Sequence, residues 1–157
     1  MYDANHLVIL HVEDDDADAD NFRVAIQEAA YGVMQVERVR TLAEAYTALD
    51  VVQYGLAVVD LTLPDSMGLP TVQGLLNHST GLPVIVLTKR DDLVSAARAI
   101  RLGVQDVLFK GNQTPAELIR SLILAVERAK TQATGRQQLS MAPNVHPAAT
   151  SSSSESS

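Results

Sequence analysis

The chain has 157 residues, 46% of them apolar, a net charge of −7 and no cysteine. That length suits one domain with a real core, the missing cysteines exclude disulfide and thiolate chemistry, and the acidic balance argues against nucleic acid as the main partner. No run approaches the ~18 continuous apolar residues of a membrane span, and "MYDANH" carries no basic region ahead of an apolar stretch, so a soluble cytoplasmic protein is expected, without signal peptide or membrane segment.

The first apolar run, residues 7–12, predicts a strand, and it leads into "EDDDADAD", six acids in eight positions. Such a run is by default a solvated loop; directly after a buried strand it is also a candidate metal cluster. A helix is predicted over 18–30, with Phe22, Ile26 and Ala29 on one face. Asp15 and Asp16 fall in the loop before it, while Asp18 and Asp20 sit in its first turn, where acids suit the positive dipole end. A second strand is expected at 34–39. "TLAEAYTALDVV" then opens with Thr41 as N-cap and Glu44 as its capping-box partner.

The third strand is expected at 56–60 and a short helix after Gly68, over 70–77. Strand four is read at 83–88. "DDLVSAARAIRLG" is a helix capped by Asp91 or Asp92 and stopped by Gly103. The fifth strand is read at 106–109, followed by "TPAELIRSLILAVERAK" with Thr114 as N-cap, Pro115 at the first helical position and Glu117 completing a capping box. From Thr131 onward the apolar periodicity stops and the chain closes in a serine run, so 1–130 is read as the domain and 131–157 as a disordered tail.

Five strands alternating with five helices predict an α/β fold. A doubly wound five-stranded parallel sheet of order 2-1-3-4-5, flavodoxin-like, suits the length, and its ligands lie beyond the carboxyl ends of the strands. At those ends stand Glu13 and Asp14, Asp60, Thr88 and Lys110. Each alone is an ordinary turn, cap or solvated residue. Together they are three carboxylates, a hydroxyl and an ammonium at one sheet edge. Crowded carboxylates call for a cation, and Mg²⁺ fits, preferring hard oxygen ligands and keeping waters for phosphate. An aspartate can attack phosphorus, and charge neutralisation with in-line positioning is most of what phosphoryl transfer needs. The set reads as a phosphoaspartate site.

"VILHVEDD", "LAVVDLTLPDSMGL", "VIVLTKR" and "DVLFKG" resemble, in order and spacing, the signature segments of the two-component response-regulator receiver domain, over roughly residues 6–130. The resemblance implies Asp60 as phosphoacceptor. It implies Asp14, Asp60 and the backbone carbonyl of Thr62 as direct Mg²⁺ ligands, with Glu13 acting mostly through water. Thr88 and Lys110 would hold the phosphoryl oxygens. It also implies a sensor histidine kinase or histidine phosphotransfer protein as donor, and a target protein on the face of the fourth helix, fifth strand and fifth helix, with a phosphorylation-dependent dimer left open. It implies no dedicated enzyme.

Two positions depart from the family pattern. Lys89 stands where a small residue usually follows the threonine, and Val107 where an aromatic switch is common; Phe109 is read as lying on the other face of the strand. Gly111 replaces a frequent proline. These departures motivate the alternative of a phosphorylation-independent interaction module on the same fold. Other readings lack their residues. Neither EF-hand frame from Asp14 or Asp16 offers the glycine or closing glutamate. A haloacid-dehalogenase-type phosphatase would want a second acid where Thr62 stands, and the eight glycines make no phosphate loop. His6, His11, His78 and His146 show no ligand spacing.

Overall fold

The computed structural model describes residues 6–89 and 93–141. In chain order these are β1 (Leu7–Val12), α1 (Asp16–Ala30), β2 (Met34–Val39), α2 (Leu42–Val51), β3 (Leu56–Val59), α3 (Leu69–His78), β4 (Val84–Thr88), α4 (Leu93–Leu102), β5 (Asp106–Phe109) and α5 (Pro115–Met141). The strands form one sheet in the order β2-β1-β3-β4-β5, every neighbouring pair parallel. The predicted fold class and strand order are both found.

Strands β3 and β4 are buried at every position, which is why they read as unbroken apolar runs rather than alternations. Side chains leave a strand to alternate faces, so each strand feeds two cores. Leu10, Val12, Val59, Val84 and Val86 pack with Leu42 and Ala45 of α2, Val72 and Leu75 of α3 and Ala99 of α4. Ile9, Val58, Ile85 and Leu108 pack instead with Phe22 and Ile26 of α1 and Leu118 and Leu122 of α5. Helices α2 and α3 meet closely because Gly74 leaves room for Tyr46: a Cβ there would overlap the phenol oxygen.

The predicted caps form. Thr41 accepts the Glu44 amide at 3.1 Å and Thr114 the Glu117 amide at 3.1 Å. Glu44 reaches back to the Arg40 amide, at 3.1 Å, one residue earlier than a standard box. Asp65, in the loop after β3, adds a second cap to α2, its carboxylate accepting the Leu42 and Ala43 amides at 2.9 Å each. The proposed caps Asp91 and Asp92 lie outside the described residues.

Several boundaries need correction. Helix α1 starts at Asp16, with Asp15 as N-cap accepting the Asp18 amide at 2.9 Å, so neither acid is a loop residue. Strand β3 ends at Val59 and β4 starts at Val84, although the Asp60 amide still donates to the Val12 carbonyl. Helix α3 is longer by one residue at each end.

The largest difference is α5, which continues to Met141 through eleven residues expected to be disordered. Those residues lack an apolar stripe, but several are good helix formers. Thr131 and Thr134 bond back to the carbonyls of Glu127 and Lys130, and Gln132 accepts from Gln105, just ahead of β5, at 2.9 Å. The rest of the expected tail, 142–157, lies outside the described residues.

Candidate phosphoryl-acceptor site

Parallel strands all end at the same edge, and the order reverses between β1 and β3, leaving a crevice there. Glu13 and Asp14 follow β1 and Asp60 follows β3. One oxygen from each of these three carboxylates lies within 4.8 Å of the others. Glu13 and Asp60 are buried, at 1% and 7% exposure, while Asp14 is the most open of the three. Thr88 ends β4 and is buried at 4%. Its carbonyl accepts the Lys110 amide at 2.7 Å, which ties the ends of β4 and β5 together. Gly111 follows with φ +83°, a conformation that favours glycine and turns the chain toward α5 right after the lysine.

Lys110 is the hub. Its Nζ lies 2.7 Å from Asp60 Oδ2, 2.6 Å from Glu13 Oε1 and 2.7 Å from Asp18 Oδ2. Burial alone would lower its pKa; hydrogen bonds to Asp18, Asp60 and Glu13 reverse that and hold it above the usual lysine range. Burial pushes the Glu13 carboxyl upward, and Asp60 beside it adds to the rise, against the pull of Lys110. Behind them His11 is buried against Phe22, ring centroids 4.2 Å apart. Burial first, then Lys110 and Arg38, lower it to about 3, so it stays a neutral core residue.

Asp18 lies in the first turn of α1, as its position in the acidic run predicts. Its carboxylate also meets Lys110, a contact that a helix-start position does not by itself announce. Two arginines at the end of β2 also belong to the surroundings. Arg38 Nε donates to the Glu13 carbonyl at 2.9 Å and its Nη1 to Asp16 at 2.8 Å. Arg40 pairs with Asp16 at 2.7 Å. The strand-end rule applied to β2 would have pointed at them.

Among the departures, Lys89 is exposed just beyond β4. Val107 packs with the core under α3 and α4, in register with Val86. Phe109 is paired with Thr88 and, two residues from Val107, shares its face; the reading that put it on the other face is wrong. Thr62 is exposed, and its amide donates to Asp60 Oδ1 at 3.2 Å.

The response regulator receiver domain family matches residues 9–123, most of the chain. The chain belongs to that family. This receiver domain is similar to the transcriptional regulatory protein BasR of Escherichia coli (strain K12), 34% identical over 102 residues, 65% of this chain and 45% of that protein. The swarming motility regulation protein RssB of Serratia marcescens is 34% identical over 120 residues, 76% of this chain and 52% of that protein. The receiver domain thus spans about half the length of the curated relatives it matches.

Among solved structures, a CheY-like receiver domain protein from Methanospirillum hungatei superposes with TM-score 0.69 at 21% identity, covering 80% of this chain and 98% of that one. NtrX from Brucella abortus gives TM-score 0.75 at 21% identity, covering 85% and 30%. At such identities the likeness carries the fold. As a receiver domain the chain is a phosphoryl-accepting module of two-component signal transduction. No described helix is long and apolar enough to cross a membrane.

Proposed function

We propose that this receiver domain accepts a phosphoryl group from a phosphohistidine onto Asp60, in the cytoplasm, and signals through protein–protein contacts. The observation that carries the reading is the Lys110 ammonium, 2.7 Å from Asp60 Oδ2 inside a group of three converging carboxylates. In the reaction an Asp60 oxygen forms the O–P bond while the P–N bond of the donor breaks, and the departing imidazole nitrogen keeps the electron pair. Lys110 neutralises charge on the transferred group, and Thr88 at the end of β4 offers its hydroxyl.

The donor set fits Mg²⁺, being all hard oxygen with more negative charge than one ammonium offsets. Asp14, Asp60 and the Thr62 carbonyl would hold it, with Glu13 through water. When bound it supplies further neutralisation of the phosphoryl oxygens. The donor is a sensor histidine kinase or histidine phosphotransfer protein. The target docks on α4–β5–α5, where α4 exposes Leu93, Val94 and Ile100; a phosphorylation-dependent dimer would use the same face.

The test is labelling by an active histidine kinase with Mg²⁺ present. Wild type should take up a base-labile label, and Asp60→Asn should take up none. An unlabelled wild type beside a demonstrably active kinase would favour instead a phosphorylation-independent interaction module, with Lys89 and Val107 as its distinguishing residues.

A further inference from the structure

Lys110 has three N–H donors, and three carboxylates surround it. Two belong to the strand ends, Glu13 and Asp60, and are nearly sealed from water. The third does not. Asp18 comes from the first turn of α1, and its side chain keeps 31% of its exposure against 1% for Glu13 and 9% for Asp60. Beside it lies a cleft of about 420 Å³ between α1 and the start of α5, lined by Asp18, Phe22, Leu87, Lys110 and Leu118 among others, but not by Asp60.

Asp18 is therefore the partner with somewhere to go. Its partly exposed carboxylate can exchange the ammonium for solvent in the cleft at lower cost than a sealed partner could. Glu13 cannot do so without being left as a buried, unpaired charge. A phosphoryl group on Asp60 brings new anionic oxygens that also need the ammonium. Asp18 then stands as both a rival for Lys110 and a nearby like charge.

We infer that Asp18 is a releasable counter-ion of Lys110, one that parks the ammonium beside Asp60 in the unmodified protein and competes with the phosphoryl group for it. Asp18 is thus a positioning residue that limits how tightly the site holds a phosphoryl group. The inference rests on the phosphoacceptor reading above.

The test uses beryllofluoride as the phosphoryl mimic, with saturating Mg²⁺, and titrates wild type, Asp18→Asn and Asp18→Ala by calorimetry. Relief of an exposed charge competition predicts about fivefold tighter binding in both variants. Mg²⁺ affinity measured without beryllofluoride should be unchanged or weaker, so a tighter metal site is not the cause. Denaturant unfolding of the unliganded variants should show them folded. Equal or weaker beryllofluoride binding by the variants overturns the inference, as does weakening by Asp18→Ala that Asp18→Asn restores, since the hydrogen bond rather than the charge would then matter. A failure of wild type and both variants alike to bind the mimic would overturn the phosphoacceptor reading and this inference with it.

Discussion

Two charge clusters flank the β1–α1 loop with opposite stoichiometry. On the Asp60 side one ammonium, Lys110, meets three carboxylates. On the β2 side one carboxylate, Asp16, meets two guanidiniums, Arg38 and Arg40. Solvent separates them further: the Lys110 side chain is 14% exposed and that of Asp16 is 71% exposed. Hydrogen bonds from Arg38 and then Arg40 hold Asp16 below the usual carboxylate range, but water screens that cluster heavily. The acid-rich cluster is the one with unmet demand for positive charge, and it is the one that is buried. The proposed chemistry uses the first cluster, while Arg38 of the second donates to the Glu13 carbonyl just after β1.

Removing the hub should give the largest effect. Lys110→Met strips the cation from Glu13, which is almost fully buried. We expect a loss of about 3 kcal/mol in metal-free unfolding, the low end for a broken buried pair, because Glu13 can take up a proton instead. Urea unfolding without Mg²⁺ measures it, and a curve that overlays wild type would mean the ammonium neutralises nothing of consequence.

Supplying charge should work in the other direction. Mg²⁺ at a hundred times its dissociation constant should stabilise the wild type by about 2.7 kcal/mol, provided it binds the folded state alone. Asp14→Ala should forfeit most of that gain. The same substitution should raise metal-free stability by relieving repulsion among the carboxylates. A wild-type melting curve that Mg²⁺ leaves unmoved would remove the metal from the proposed function.

The contrast between the clusters also explains what could be read without a structure. The sheet was legible because strands covered on both faces are apolar throughout, as at 56–59 and 84–88. A parallel sheet then brings its strand ends together without further information, and Glu13, Asp14, Asp60, Thr88 and Lys110 are all found at that edge. Asp18 and Arg38 escaped because each depends on reach across elements. A charge in the first turn of a helix looks like dipole compensation, and a basic residue near the end of an edge strand looks solvated. Helix α5 beyond residue 130 escaped for a different reason: backbone propensity, threonine back-bonds and one contact from Gln105 hold it, none of which leaves an apolar period.

The exposed cluster supplies the finest comparison, because its members differ in what else they touch. Asp16 meets its two guanidiniums at a largely exposed position. Arg38 reaches past it to the carbonyl of Glu13, with its side chain 25% exposed. Arg38→Ala should therefore cost about 2 kcal/mol, the range for a charge-assisted hydrogen bond partly shielded from water. It should also raise the Mg²⁺ concentration needed for half-stabilisation, since the backbone carrying Glu13 and Asp14 is then held less firmly. Asp16→Ala should leave both the unfolding midpoint and the Mg²⁺ response where they are in wild type. Measuring the two variants side by side in low and high salt separates the contributions. If Asp16→Ala matches Arg38→Ala, the loop is fastened by its surface ion pairs. If only Arg38→Ala moves the Mg²⁺ response, the fastening runs through the Glu13 carbonyl, and the base-rich cluster acts on the acid-rich one through the backbone they share.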